Sequence, residues 1–119
     1  MEKTVASLVN AAIRGLGNHY ADGTERIEIH VPSDHAHGLP HSKGIRVPVV
    51  LHVGDEIFDA GLRSTAHNDY VWICPNLTAK DGCRKRLADI VAAAGFKKND
   101  HVCLLVTGND IVLKHATSQ

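Results

Sequence analysis

The sequence lacks an apolar run near the ~20 residues that a membrane-spanning helix needs, and it shows no apolar core with a cleavage site at its start, as a signal peptide would. Its three cysteines, Cys74, Cys83 and Cys103, are an odd number without a close pair. A disulfide framework is therefore not expected. Together these absences predict a cytoplasmic protein in a reducing compartment.

An excess of charge of one sign is also missing. The 13 Lys and Arg residues balance the 13 Asp and Glu residues, so the formal net charge is zero. This balance excludes a globally basic nucleic-acid-binding protein, and a DNA-binding face would have to be a local patch. The 119 residues predict a single domain over residues 1–119, and 44% hydrophobic residues is typical of a globular protein.

Hydrophobic periodicity predicts the secondary structure. Apolar residues recur at helical spacing in residues 4–16, which predicts an N-terminal helix within residues 1–17. A second helix is predicted, with Arg84, Lys85 and Arg86 in its first turn and its end at Gly95. Ser33 or Asp34 is predicted to begin one short helical turn. Alternation of apolar and polar residues predicts strands at 26–31, 45–53, 56–63 and 70–74, and a hairpin over 102–113.

The joints between strands predict how the sheet is built. Gly54-Asp55 and Gly108-Asn109 are typical of two-residue hairpin turns. The sheet is therefore expected to be largely antiparallel, and closing it into a barrel would remove its exposed edges.

Histidines are frequent between residues 30 and 41. Neutral imidazoles bind zinc or copper, but the spacing matches no metal-site template, and a solvated polar loop explains the residues as well. We predict no metal and no cofactor, and a His-rich metal-binding protein is kept as an alternative. The histidines in this segment are His30, His35, His37 and His41.

Catalytic motifs are absent from the sequence. No Gly-rich phosphate loop, no G-x-S-x-G and no H-E-x-x-H occurs. A cysteine and a histidine could form a nucleophilic pair, but free cysteine is commonly a small buried apolar residue. We predict that the protein is not an enzyme and has no catalytic residues.

Two polar loops suggest a nucleic-acid surface. Arginine can bond guanine in a bidentate manner and asparagine can bond adenine, while hydroxyls take phosphate contacts. Both loops on one barrel rim could straddle a major groove, although the same residue types are ordinary in turns. Trp72 is interpreted as packing, with little sign of base stacking. The first loop offers Asn18, His19, Tyr20, Thr24 and Arg26, and the second offers Arg63, Ser64, Thr65, His67 and Asn68.

Three local signatures accompany this order of elements. They are the strand Ile29-His30-Val31-Pro32, residues 58–63 with Tyr70-Val71-Trp72-Ile73 after a polar loop, and Gly95-Phe96 followed by Asn99-Asp100-His101-Val102. Over about residues 26–115 the chain thereby resembles the B-three-type DNA-binding pseudobarrel superfamily. That superfamily includes plant transcription-factor DNA-binding domains and the recognition or effector domains of restriction endonucleases such as EcoRII and BfiI.

The resemblance implies a mainly β (α+β) fold: an open, seven-stranded-like antiparallel β-pseudobarrel with two capping helices, plus the N-terminal helix. It also implies that the loop from Arg63 to Asn68 is the C-terminal arm of a grip on the major groove, with residues 18–26 as the N-terminal arm. The expected function is binding of double-stranded DNA with some sequence specificity, linked to restriction, defence or transcription regulation, with a nuclease or regulatory protein as partner. Arg26, Lys43 and Arg46 are expected to contact phosphates.

The alternative is a non-catalytic β-barrel module that binds a protein or a small ligand through the same rim. Charge placement separates the two hypotheses. Arginines that share one face favour DNA, whereas carboxylates that neutralise that face favour a partner. The carboxylates concerned are Glu25, Glu28, Asp59 and Asp69.

Overall fold

The computed structural model of the chain describes residues 6–65 and 69–116. A 3-10 turn, Ser33–His35, follows the second strand, and one α-helix precedes the last two strands. The elements are β1 Ser7–His19, β2 Glu25–Pro32, β3 Val47–Val53, β4 Glu56–Ser64, β5 Tyr70–Ile73, β6 Asn76–Ala79, β7 Arg84–Arg86, α1 Leu87–Ala93, β8 His101–Thr107 and β9 Asp110–His115.

Seven of the strands form a closed barrel. Their order is β3-β9-β8-β1-β2-β5-β4, and β4 pairs back with β3. Strand β6 pairs with β4 beside this ring, and β7 pairs with β6. The β3–β9 pair is parallel, and the other pairs are antiparallel. The predicted mainly β barrel is thus confirmed, but the sheet is closed rather than open.

The predicted N-terminal helix is wrong, because residues 7–19 form β1. Val9 and Ile13 point inward and pair with Leu104 of β8 and Ile29 of β2. Leu8, which the helical pattern placed on the buried stripe, is 66% exposed. A short apolar run fits either period, and pairing with two neighbouring strands decides the outcome. Residues 1–5 lie outside the described residues.

The second helix is also shorter than expected. It comprises Leu87–Ala93, and Arg84–Arg86 form β7 instead of its first turn. Three consecutive charged residues carry no strand periodicity, and the pairing of their backbone with β6 makes them a strand. The short helical turn predicted at Ser33 or Asp34 is confirmed as the 3-10 turn Ser33–His35. The prediction of two capping helices and an N-terminal helix is wrong, because α1 is the one α-helix of the described residues. No helix in that part of the chain has the length and apolar character to cross a membrane.

Apolar side chains fill the inside of the barrel. Every second residue of each long strand points inward, and α1 contributes Leu87, Ala88 and Val91 to the same core. Side chains with 0% exposure include Ile13, Ile29, Leu51, Leu62, Leu104 and Ile111. Function is therefore sought on the outer face and in the loops.

Candidate nucleic-acid interface

A row of five outward side chains crosses five neighbouring strands of the barrel. Strand register pairs Ala12 with both His101 and His30. It then pairs His30 with Trp72, and Trp72 with Arg63. Because neighbouring strands lie ~4.8 Å apart, the row is about 19 Å long. We call these five residues the outer row.

Aromatic rings form the middle of the outer row. The His30 ring stacks on Tyr70 with 4.1 Å between ring centroids, and Tyr70 contacts Trp72 edge to face at 5.6 Å. Tyr70 and Trp72 are half-buried, so both present part of their rings to solvent. The middle of the row therefore presents parts of aromatic rings to solvent, and Arg63 lies at its end.

The orientation of His30 is fixed by Glu28. A hydrogen bond of 2.8 Å joins His30 Nε2 to Glu28 Oε1, and the two side chains are only 18% and 12% exposed. The carboxylate of Glu28 is thus used within the protein, and none of the five residues of the outer row is acidic.

A second guanidinium lies close to Arg63. The side chain of Arg46 passes over Gly61, where a Cβ atom would collide with its guanidinium. Gly61 and Arg63 are two residues apart on β4 and face the same way. Burial raises the pKa of the Cys74 thiol, and the positive charges of Arg63 and Arg46 oppose that rise, so both arginines lie near Cys74. In the described residues neither arginine makes an ion pair within 4 Å.

The loop that carries Arg46 is anchored to the end of β4. The N–H of Gly44 donates to the carbonyl oxygen of Ser64 at 2.8 Å, and a hydrogen bond of 3.1 Å joins His41 Nδ1 to Ser64 Oγ. Ser64 is 4% exposed, so its hydroxyl holds the loop in place. Lys43 pairs with Ser64 and is exposed. We call Lys43, Arg46 and Arg63 the basic corner.

Of the predicted C-terminal arm, Arg63 is exposed, Ser64 is buried and Thr65 is half-buried. His67 and Asn68 lie outside the described residues. The structure thus brings the basic corner and Thr65 together at one end of β4.

The predicted N-terminal arm is the tip of the β1–β2 hairpin, and an internal cluster occupies it. The Tyr20 ring lies between the guanidinium of Arg26, 4.9 Å from the ring centroid, and that of Arg86, 4.5 Å away. Arg86 donates to Asp22 at 2.8 Å and to Asp89 at 2.7 Å. Sequence reasoning missed Arg86, which lies 64 residues from Asp22. Asn18 and His19 are exposed, and Thr24 is half-buried.

The two arms lie at opposite ends of β2. The hairpin tip precedes Glu25, whereas Pro32 at the other end pairs with Tyr70, and the N–H of Ser33 donates to the carbonyl oxygen of Asp69. Eight residues of strand separate these ends by about 23 Å. The expectation that both arms share one rim is wrong, because loop composition does not reveal which end of the barrel a loop occupies.

The acidic residues weighed for this face are distributed around it. Glu25 accepts a hydrogen bond from Lys98 at 2.9 Å near the hairpin tip, and Glu28 bonds His30. Asp59 and Asp69 are exposed and make no ion pair among residues 6–65 and 69–116. None of the five residues of the outer row is acidic, but Glu28 bonds a residue of the row and Asp59 lines the same pocket as Arg46.

The His-rich segment is spread over separate contacts. His30 bonds Glu28, and His41 bonds Ser64, on different parts of the surface. In the described part of the chain no group of three or more His, Cys, Asp or Glu residues is placed to hold a metal ion. The segment contributes single histidines to other sites.

The stability of the folded state at low pH depends on Asp22. Hydrogen bonds from Arg86 and from Thr24 hold the pKa of Asp22 well below its ordinary value. A lowered pKa stabilises the folded state above the ordinary value, about 4, and this contribution is lost as the pH falls further. We expect Asp22→Asn to be less stable than the wild type at pH 5 and to approach it towards pH 2. The measurement is the urea unfolding midpoint of the wild type and of Asp22→Asn across that pH range. A constant difference between the two midpoints would contradict the contacts of Asp22.

Tyr20 provides a test of the hairpin tip. Its hydroxyl is buried without a hydrogen-bond partner in the described residues. Removing an unsatisfied buried polar group does not cost stability and gains up to about 1 kcal/mol. Tyr20→Phe is therefore expected to keep or raise the urea midpoint. A lowered midpoint would contradict the burial of this hydroxyl without a partner.

Comparison with known proteins assigns no family to this chain. The sequence matches no family model, no curated protein and no solved structure. Function is therefore inferred from the chain's own residues.

Proposed function

We propose that this chain is a double-stranded DNA-binding domain that contacts DNA through the basic corner and the adjoining outer row. The observation that carries this proposal is the meeting of Arg46 and Arg63 on one exposed surface without ion-pair partners among the described residues. Guanidinium groups held in this way are available for phosphate oxygens and for guanine. The resemblance to the B-three-type pseudobarrel favours the same loop as the DNA-contacting arm.

Arg63 stands near the end of β4 on the outside of the barrel wall. Strands β4 and β5 pair in antiparallel register from Leu62 with Ile73 to Ser64 with Val71, and the wall continues through β3 beside β4 and β2 beside β5. From this position Arg63 reads base edges in the proposed complex, while Lys43 and Arg46 contact phosphates.

The N-terminal arm has a different role in this proposal. Arg26 and Arg86 stack on Tyr20 at the far end of β2 and stabilise the hairpin tip. The DNA contacts are therefore placed at one end of the barrel, with Asn18, His19 and Thr24 outside the interface. A link to restriction or transcription would come through a nuclease or regulatory partner, since the interface itself only positions the protein on DNA.

Salt dependence tests the proposal. Fluorescence anisotropy of a random-sequence duplex pool is measured at several salt concentrations, and the bound fraction is sequenced. Two phosphate contacts predict a slope of log K against log salt of about −1.8. Arg46→Gln is expected to reduce the magnitude of this slope by about 1, uniformly across sequences.

The matched control for Arg46→Gln is Arg84→Gln, at an exposed position on β7. It is expected to leave the slope unchanged. Absence of salt-sensitive binding at low salt would overturn the proposal, as would equal slopes for the wild type and Arg46→Gln. Tighter binding to single strands than to duplexes would instead favour stacking on Trp72 as the main contact.

A further inference from the structure

A groove runs along the outer face of β1 at the other end of the outer row. Its volume is about 390 Å³, within the range of small-molecule sites. The floor is Ala12, which is 8% exposed although it points outward. Its cross-strand partners His101 and His30 stand on either side and form the walls.

The two ends of the groove differ in chemistry. Asn10 and Arg14 lie two residues before and after Ala12 on the same face of β1, about 13 Å apart. The guanidinium of Arg14 makes no ion pair within residues 6–65 and 69–116. Its hydrogen bond is to the amide oxygen of Asn99, at 3.5 Å on the surface. The cross-strand partner of Arg14 is Glu28, whose carboxylate bonds His30, so the guanidinium of Arg14 is the cation that an anionic group would meet at this end.

The opposite end offers polar groups for recognition. Asp69 is the one carboxylate among the described lining residues, and it directly precedes Tyr70. Tyr70 pairs with Pro32, next to the Asn10 end of the groove. The amide of Asn10 and the carboxylate of Asp69 can together accept from and donate to the edge of a nucleobase.

One wall of the groove is held rigidly. His30 is stacked on Tyr70 and bonded to Glu28, so its ring position is fixed before any ligand arrives. His101 on the other wall is exposed and lies across the small Ala12 floor. The N–H of His30 is taken up by the Glu28 carboxylate, so the groups that can donate to phosphate oxygens are the imidazole of His101 and the guanidinium of Arg14.

We propose that this groove binds a nucleoside monophosphate, with its phosphate at Arg14 and its base edge at Asn10 and Asp69. The inference goes beyond the proposed DNA binding. Ala12, His30 and His101 belong to the outer row as well, but the residues that would hold the phosphate and the base, Arg14, Asn10 and Asp69, lie in neither the outer row nor the basic corner. The phosphate-bearing unit has two possible sources, a free nucleotide and the 5′-phosphorylated end of a nucleic-acid strand, and both present the same chemistry to the groove.

The test is a calorimetric titration of the full chain with adenosine 5′-monophosphate. We expect a Kd on the order of 10–1,000 µM, the range open to a ligand of this size. Adenosine without the phosphate is expected to bind at least ~10-fold more weakly, because one charge-assisted hydrogen bond is then missing. Absence of saturable binding across this range would overturn the proposal, and so would equal binding of adenosine.

Two variants locate the site. Arg14→Gln removes the cation, and Ala12→Leu fills the floor. Each is expected to weaken binding by about 10-fold or more, while Arg84→Gln is expected to leave it unchanged. Circular dichroism checks the fold of each variant, and the exposed Arg14 keeps the test valid if Ala12→Leu fails to fold. Equal binding by Arg14→Gln and the wild type would overturn the proposal.

A competition experiment separates the two sources. Displacement of the nucleotide by a 5′-phosphorylated oligonucleotide, but not by its unphosphorylated form, supports a strand end as ligand. Lack of displacement by either supports a free nucleotide. Arg63→Ala affects duplex binding alone, so failure of the DNA proposal and failure of the nucleotide proposal give different results.

Discussion

Replacing Phe58 by alanine is expected to lower the free energy of unfolding by about 3–5 kcal/mol. Phe58 is 1% exposed and points into the barrel from β4. Its cross-strand partners are Leu51 of β3 and Ala79 of β6, so removal of the ring would leave a cavity where three strands meet. Because a domain of this size is stable by only about 5–15 kcal/mol, the expected decrease is a large part of the total.

The measurement is urea unfolding followed by circular dichroism, with Leu8→Ala as the control. Leu8 points outward from β1, and its replacement is expected to change stability by no more than about 0.5 kcal/mol. The control also tests the fold, because an N-terminal helix would bury Leu8 and make the same change cost about 2–5 kcal/mol. Similar decreases for the two variants would contradict the arrangement of β1 and β4.

Strands with strict alternation could be predicted from the sequence, because the alternation itself reports which face is buried. Strands β2, β3, β4 and β9 follow this pattern, and the glycines of both predicted hairpin turns have positive φ, +59° at Gly54 and +60° at Gly108. The local pattern of a strand does not show which distant strand it pairs with. The parallel pairing of β3 with β9, which closes the barrel, joins residues about 60 positions apart.

The start of the chain shows where local pattern misleads. Gly15 and Gly17 look like a signal that ends a helix, but they lie where the register of β1 against β2 shifts. Gly17 has a φ of +79°, which favours glycine at such an irregularity. The residues that suggested a helix boundary therefore mark a bulge in a strand.

The candidate interface is predictable in part. Arg63 is a candidate interface residue from the sequence alone, because it ends a predicted strand beside a polar loop. The position of the Arg46 side chain over Gly61 could not be predicted, because it depends on tertiary packing. The alternation of Tyr70 and Trp72 with buried Val71 and Ile73 already indicates that these two rings face outward. The strand register alone makes His30 and Arg63 neighbours of these rings.

Arg63→Ala is expected to weaken binding to the preferred duplex by about 1–3 kcal/mol and to blur discrimination between that duplex and single-base variants of it. The reason is the position of Arg63, exposed near the end of β4 and beside Trp72, where its guanidinium can reach a base edge. Removing a phosphate-binding side chain such as Arg46 would instead weaken binding to all sequences alike.

The experiment compares wild type, Arg63→Ala and the matched control Arg84→Ala on the selected duplex and its variants, by fluorescence anisotropy at fixed salt. Arg84 is exposed on β7, which pairs with β6 outside the barrel ring, so its variant is expected to bind and discriminate as the wild type does. Weaker binding by Arg63→Ala with unchanged discrimination would make Arg63 a phosphate contact. Loss of discrimination only in Arg63→Ala would place base reading at this end of the barrel, since both variants remove the same charge and differ only in where it stood.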